Sequence, residues 1–437
     1  MSTPSTATED KPANISYKQL QPWVICLTAS LFFMYEFSQN TMFNALGAPL
    51  ANEFHLNATQ LGTLSALSLY GNVMFLPLAG ILLDRFSTRS IILVNMSMCV
   101  MSTYVFSISD SYTLACVTRF ITGSTGAFCL LSANLMASRW FPSNKLGLIT
   151  GLIITSGFSG GMMAQSPLNH IVSTYGWRSA VTTVYSIGII FTILMYFILQ
   201  DKPKEASNDN ISQSDEDNIS VSESVKLALL SKHSWLCGLY TSLTNIFVMI
   251  CGVLWGAPYL QKVHGLTSMQ ATDITGVIFI GGIIGFPVFG AMSDYLKSRK
   301  TPMISGAIAS LSLVLVLALS SNLSFPVLMA IFFTIGFTTS SQGISYPSII
   351  ESTKPHMIAT CSALASVIIQ GGGAFFVHGF GVLVDFHSNP IEGISNLNEY
   401  TTAADFTFAF WMLPVAYAIT IMLALSIKET YRSSNNS

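Results

Sequence analysis

The chain has 437 residues, 51% hydrophobic and only 9% charged, with a formal net charge of −2. Ordinary soluble proteins carry about 25% charged residues, and a soluble chain this apolar would expose large adhesive patches. A near-neutral balance gives no basic surface for nucleic acid, so the expected surroundings are a lipid bilayer.

In chain order, residues 1–21 are polar, with Glu9, Asp10, Lys11 and Lys18, and read as a cytoplasmic tail without a cleavable leader. A hydrocarbon core of ~30 Å requires about 20 apolar residues per helix. Twelve such spans follow, at approximately 22–45, 60–83, 90–108, 112–137, 146–169, 177–199, 232–258, 272–293, 302–321, 325–350, 357–384 and 405–427. The fold class expected is therefore all-α, a membrane protein of twelve transmembrane helices in two pseudo-symmetric six-helix bundles. Residues 200–231 are acidic and rich in Ser and Asn up to about residue 224, too poor in large apolar side chains to fold by burial. They read as a flexible cytoplasmic linker, with a short interfacial helix at 222–231. The linker divides an N-terminal bundle, 22–199, from a C-terminal one, 232–427, and residues 428–437 form a second cytoplasmic tail.

Of nineteen basic residues, only Arg178 and Lys262 fall on the outer side if the N-terminus is inside. Arg119 lies within span 4, and all the others lie inside. This asymmetry is the positive-inside rule, and it places both termini in the cytoplasm. The cysteines sit in apolar runs without metal-ligand spacing, so neither a metal nor a disulfide framework is expected.

A ten-residue motif occurs twice, 210 residues apart: Gly80-Ile-Leu-Leu-Asp84-Arg85-Phe-Ser-Thr-Arg89 and Gly290-Ala-Met-Ser-Asp294-Tyr-Leu-Lys-Ser-Arg299. Gly, Asp and the final Arg recur at one offset, the mark of a duplicated six-helix unit. Asp84 can cap or pair with cations at neighbouring helix ends, and Arg85 and Arg89 with carboxylates or carbonyls. Tyr295 replaces the counterpart of Arg85, which predicts weaker pairing in the second copy. Headgroup anchoring is the plain alternative for these arginines.

The first motif resembles the signature loop of the major facilitator superfamily, and the second its weaker echo. Arg119-x-x-x-Gly123 with Gly126, and Arg139-Trp-Phe-Pro142 continuing through Gly147, Gly151 and Gly160-Gly161 to Gly176-Trp177-Arg178, are similar to further motifs of that family. Leu254-Trp-Gly-Ala-Pro258 and Gly285-Phe-Pro-Val-Phe-Gly290 resemble a bacterial nutrient-import branch that includes phagosomal transporters of amino acids or nucleosides. The resemblance covers about 22–428. It implies a transporter of the inner membrane whose motif loops gate the cytoplasmic side, so Asp84, Arg85, Arg89, Asp294 and Arg299 are the gating candidates.

Charges inside a bilayer are costly, and two lie deep: Glu36 in span 1 and Arg119 in span 4, at similar depth. They read as the proton-coupling pair, with Arg119 holding either an anionic substrate group or Glu36 itself. The proton affinity of Glu36 would then depend on their separation. A static pair within the bundle is the alternative. Gln39, Asn40, Phe43 and Asn44 continue one helical face from Glu36, a stripe that must face a cavity or another helix. Candidate substrate-contacting residues are Gln39, Asn40, Tyr70, Arg119, Asn245, Gln342, Tyr346 and Gln370, each also readable as an interhelical hydrogen bond.

The glycine clusters 157/160/161, 281/282/285 and 371–373 read as close helix contacts or hinges. His170, His378, Glu351 and Asp385 lie nearer helix ends and are weaker coupling candidates. No nucleophile–base constellation or nucleotide-binding loop occurs. The expectation is a monomeric secondary transporter without cofactor, importing a small polar metabolite, an amino acid among the candidates, by proton symport through alternating access. The rival readings are a proton-driven exporter of drugs or metabolites, and uptake of a nucleoside or siderophore. Exporters of this superfamily resemble one another in a Gly-Pro-x-x-Gly-Gly pattern in span 5, and the corresponding Ser156-Gly157-Phe-Ser-Gly160-Gly161 lacks the proline.

Overall fold

A computed structural model describes residues 17–141, 146–201, 229–320, 323–353, 358–388 and 397–431. Most of the expected linker and both tails fall outside these residues, as does the side chain of Asp84. Among the described residues the secondary structure is helical throughout. Ten helical stretches are long and apolar enough to cross a bilayer. An eleventh is the pair Lys232–Thr244 and Val248–Leu254, bent by 42°. Leu146–Met163 with Ser166–Tyr175 occupies the fifth place, so the architecture is consistent with twelve crossings.

The duplication extends well beyond the motif loops. Span 2 (Ala58–Arg85) starts with a capping box between Asn57 and Gln60, and span 8 (Ser268–Tyr295) with the same box between Thr267 and Gln270. Pro77 and Pro287 lie inside the two helices at the same offset. Both helices are crossed at contact distance by the fourth helix of their half. A Cβ built on Gly123 would stand 1.7 Å from the Ser68 carbonyl oxygen, and one on Gly336 would stand 2.1 Å from that of Ile278. Gly71 meets the Phe120 carbonyl and Gly281 that of Phe333 in the same way. Small residues let these backbones touch, which is how helices gain packing energy where lipid supplies no hydrophobic drive.

Several spans are broken near mid-depth. Span 1 divides into Tyr17–Thr41 and Phe43–Phe54, and span 5 divides at Gln165. Span 7 passes from Lys232–Thr244 through a π-helical turn, Val248–Leu254, to Gly256–His264. The breaks of spans 1 and 7 release backbone groups that side chains then satisfy. Gln165, wholly buried, donates from Nε2 to the carbonyls of Thr41 (3.2 Å) and Gly252 (3.0 Å), and its Oε1 accepts from Thr275 (2.7 Å). Asn44 donates to the Cys251 carbonyl (2.8 Å) and accepts from the Ala257 N–H (3.1 Å). These two amides join four helices across the two halves.

Besides the contact of span 1 with span 7, the halves meet along two long seams, span 2 against span 11 (Ile358–Ser388) and span 5 against span 8. At the end opposite the motif loops, backbone approaches backbone: a Cβ on Gly381 would stand 2.5 Å from the Ala58 carbonyl, and one on Gly62 3.2 Å from that of Val377. Halfway along, Phe158 packs on Phe279 and Phe286 at centroid distances of 5.8 and 5.5 Å. Gly80 lies five turns beyond Gly62 on the same face and has nothing within 4 Å; neither has Gly290, one turn beyond Phe286. The seams therefore open as a wedge, closed at the far end and open at the motif-loop end.

Gly123→Val is expected to cost at least the ~1–3 kcal/mol of an overpacked core, because the obstacle is backbone. Gly80→Ala meets open space and should melt at or above the wild-type temperature. Thermal denaturation of the detergent-solubilised proteins separates the two outcomes.

Candidate functional site

Glu36 and Arg119, 4% and 1% exposed, are the innermost charges of the N-terminal half. They do not form a direct ion pair; Asn40 stands between them. Its Nδ2 donates to Glu36 Oε1 at 2.7 Å, and its Oδ1 accepts from Ser68 Oγ at 2.8 Å and from Arg119 Nη2 at 3.5 Å. Arg119 Nη2 also donates to Ser68 Oγ at 2.9 Å, and the guanidinium lies 4.6 Å from the Phe43 ring centroid. The other Glu36 oxygen faces the Cys129 thiol at 3.9 Å. Spans 1, 2 and 4 each contribute, because the Gly123–Ser68 crossing brings span 4 close enough for Arg119 to reach Ser68. Arg119 Nε and Nη1 and Gln39 Nε2 are buried without a hydrogen-bond partner. Such unsatisfied donors are rare in interiors, and here they all offer hydrogens to an acceptor.

The C-terminal half repeats the crossing without the charges. Ile278 stands where the first half has Ser68, and Phe332 where it has Arg119. Phe332 packs edge-on against Phe247 at 5.1 Å. What this half offers is a neutral amide pair, Gln342 Nε2 donating to Asn245 Oδ1 at 3.2 Å, with Tyr346 hydroxyl 3.5 Å from Ser366. Gln370 is half-buried on span 11. Tyr70 stands apart from both groups. It is 40% exposed on a stripe with Met74, Leu78 and Ile81, away from the face that presents Ser68.

The motif loops sit in two carboxylate-centred clusters. In the first half, Asp201 at the end of span 6 accepts from Ser87 Oγ and from the Arg89 N–H (3.1 Å), and lies 3.9 Å from Arg139. Arg89 Nη2 donates to the Tyr196 carbonyl at 2.8 Å, while Arg85 is exposed. In the second half, Glu429 at the end of span 12 takes the same place. It accepts from Ser298 Oγ (2.5 Å) and from the N–H groups of Arg299 (2.8 Å) and Lys300 (3.2 Å). Arg299 pairs with both Asp294 and Glu351 at 2.7 Å.

The loss of an arginine at position 295 does not leave the second copy unpaired. Tyr295 is 87% exposed, and the pairing runs through the final arginine of the motif. Among the described residues each cluster also stays within its own half. Asp201, Glu351 and Glu429 were not marked as loop partners in the sequence. The signal was a carboxylate just past the last apolar residue of span 6 and of span 12. Burial alone would raise the Glu429 carboxyl, but the bonds from Ser298, Arg299, Tyr431 and Lys300 outweigh it and hold it at about 2.

The family model described as Major Facilitator Superfamily matches residues 28–377. The hexuronate transporter of Bacillus subtilis (strain 168) is 23% identical over 280 residues, 64% of this chain and 65% of that protein. The probable sulfoacetate transporter SauU of Cupriavidus necator is 22% identical over 263 residues, 58% of this chain and 61% of that protein. The chain thus spans just under two thirds of the length of these curated relatives. Among solved structures, a bacterial homolog of the human lysosomal transporter Spinster, inward-facing and unoccupied, superposes with a TM-score of 0.75 at 17% identity. That match covers 93% of this chain and 97% of the other.

The Glu429 cap supplies a pH test. A carboxyl whose folded value lies below its ordinary 4.5 contributes stability above that value and loses it as pH falls towards about 2. Glu429→Ala should therefore lower the melting temperature by the same amount at about pH 5.5 and about pH 8, where the carboxylate is fully charged in both states. A deficit that disappears at the lower pH would contradict the cap.

Proposed function

The chain belongs to the Major Facilitator Superfamily, and from that membership we propose that it is a secondary active importer. It takes up a small polar metabolite together with a proton by alternating access around a mid-depth site. The basic motif-loop end faces the cytoplasm of a bacterial cell with both termini on that side, and the protein works as a monomer of two rocking halves, 22–199 and 232–427, joined by the 200–231 linker. The observation that carries this reading is a buried carboxylate joined to a buried guanidinium only through Asn40.

In this reading Glu36 carries the proton, and Asn40 and Ser68 hold Arg119 beside it. While Glu36 is charged, it offsets the guanidinium. Once Glu36 is protonated, Arg119 turns its attraction to an anionic group of the solute, so proton and solute bind as one event. The unpartnered nitrogens of Arg119 and Gln39 are the donors for that group. The relatives' names agree with a negatively charged cargo, since hexuronate and sulfoacetate are both organic anions. Asn40 from the first half, with Asn245, Gln342, Tyr346 and Gln370 from the second, complete the polar contacts. Asp84, Arg85, Arg89, Asp294 and Arg299 brace the cytoplasmic ends through the cycle.

The test begins with purified protein in proteoliposomes carrying a pH-sensitive dye, screened with small carboxylates, sulfonates and amino acids for solute-driven proton movement. With the responding solute, Glu36→Gln should abolish accumulation driven by a pH gradient, while exchange of labelled for unlabelled solute survives, because an amide cannot exchange protons but keeps the shape of the side chain. Arg119→Lys should weaken both, since an ammonium lacks the planar set of donors. Undiminished proton-driven accumulation in Glu36→Gln would leave Glu36 a structural residue.

A further inference from the structure

The start of span 2 has an unusual arrangement of donors. Asn57 accepts from the third N–H of the helix, that of Gln60 (2.7 Å), and the Gln60 side chain accepts from the Asn57 N–H (3.1 Å). The first two N–H groups, those of Ala58 and Thr59, are left over. Both are supplied from the other half of the molecule: Asp385 of span 11 accepts from Ala58 at 3.1 Å and from Thr59 at 2.7 Å, one carboxylate oxygen for each. Tyr400 donates its hydroxyl to Asp385 and accepts from the Ala58 N–H at 3.0 Å. Beside it the Leu397 N–H donates to the Leu56 carbonyl at 2.9 Å, again from one half to the other.

A carboxylate at a helix N-terminus joins its charge to the positive end of the helix dipole through charge-assisted hydrogen bonds. Such contacts normally lie within one folding unit, as at Asp201 and Glu429. Here the same device spans the two units, at the closed tip of the wedge. The twin start at span 8 keeps the capping box, but its cross-seam contacts are neutral, Asn169 with Thr272 (3.2 Å) and Ser268 (3.1 Å).

We propose that Asp385, seated on the N-terminus of span 2 with Tyr400 as its brace, is the latch that holds the far end shut and must release when that end opens. The latch sets the balance between the two access states without touching the solute. Opening strands neither partner, because the far end is polar and both the carboxylate and the two N–H groups pass to water.

The experiment rests on the orientation and alternating access proposed above but needs neither the solute nor proton coupling, so a failed Glu36 test leaves it standing. Ala257 is wholly buried at the seam, its N–H on Asn44 across the halves. An Ala257→Cys reporter is placed in the full chain with the half-buried Cys116 changed to Ser, the other native cysteines being buried. Right-side-out membranes are labelled with an impermeant maleimide. Asp385→Asn, which replaces one acceptor oxygen by a donor facing an N–H, should raise the labelling rate by roughly twofold to thirtyfold, the population shift implied by losing a charge at a helix terminus. Tyr400→Phe should raise it less. Folding is checked by monodisperse elution in detergent. Reporter labelling unchanged in folded Asp385→Asn would overturn the latch; should that variant not fold, wild-type labelling in Tyr400→Phe would overturn it instead.

Discussion

A backbone carbonyl or N–H set free inside a bilayer has no water to turn to, and the breaks of spans 1 and 7 are arranged around that constraint. Span 1 breaks at Thr41–Phe43 and span 7 unwinds through a π-turn, and the carbonyls they release fall to Gln165 and Asn44. Trp255 Nε1 adds a further bond across the halves, donating to the Val377 carbonyl of the unbroken span 11 at 2.8 Å. The amides that satisfy the breaks are also the contacts that hold the halves together. At spans 1, 5 and 7 the places where helices break are therefore also places where the halves are joined.

The duplicated scaffold and the chemistry it carries follow different rules. Capping boxes, prolines, crossing glycines and loop arginines recur at nearly one offset, because packing two copies of a six-helix unit demands the same close approaches in each. The charged group within the crossing does not recur: Arg119 and Ser68 have Phe332 and Ile278 as counterparts. A buried charge is expensive, so one copy of the network is the least costly way to hold an ionisable group at mid-depth.

Much of this was legible in the sequence. Apolar run length gave the helices, the Gly80/Gly290 repeat gave the duplication, and the rarity of charge within the spans singled out Glu36 and Arg119. What stayed hidden depends on distance across the fold. That Asn40 would stand between Glu36 and Arg119 follows from how closely span 4 crosses span 2. Tyr70 had the right depth but the wrong face, and depth is all that counting along a helix supplies. In the second motif loop the pairing belongs to Arg299, so the residue at position 295 says little about it. Helical spacing put Asn44 on the polar stripe of span 1, but the partners that Gln165, Asn44 and Asp385 find in the other half follow from no local pattern.

The open wedge at Gly80 and Gly290 has a thermodynamic consequence. A rocking motion that closes it brings glycine faces into contact and expels the solvent between them, while the tip at Gly62 and Gly381 opens and takes solvent up. The two volumes lie on opposite sides of the membrane and their difference need not cancel. Water activity on each side thus becomes a variable of the equilibrium: an excluded osmolyte added to one compartment favours the state that buries the surface facing it, much as such solutes favour compact states of soluble proteins. Osmotic pressure on either side of the membrane is thus a force that bears on the balance between the two ends of the wedge.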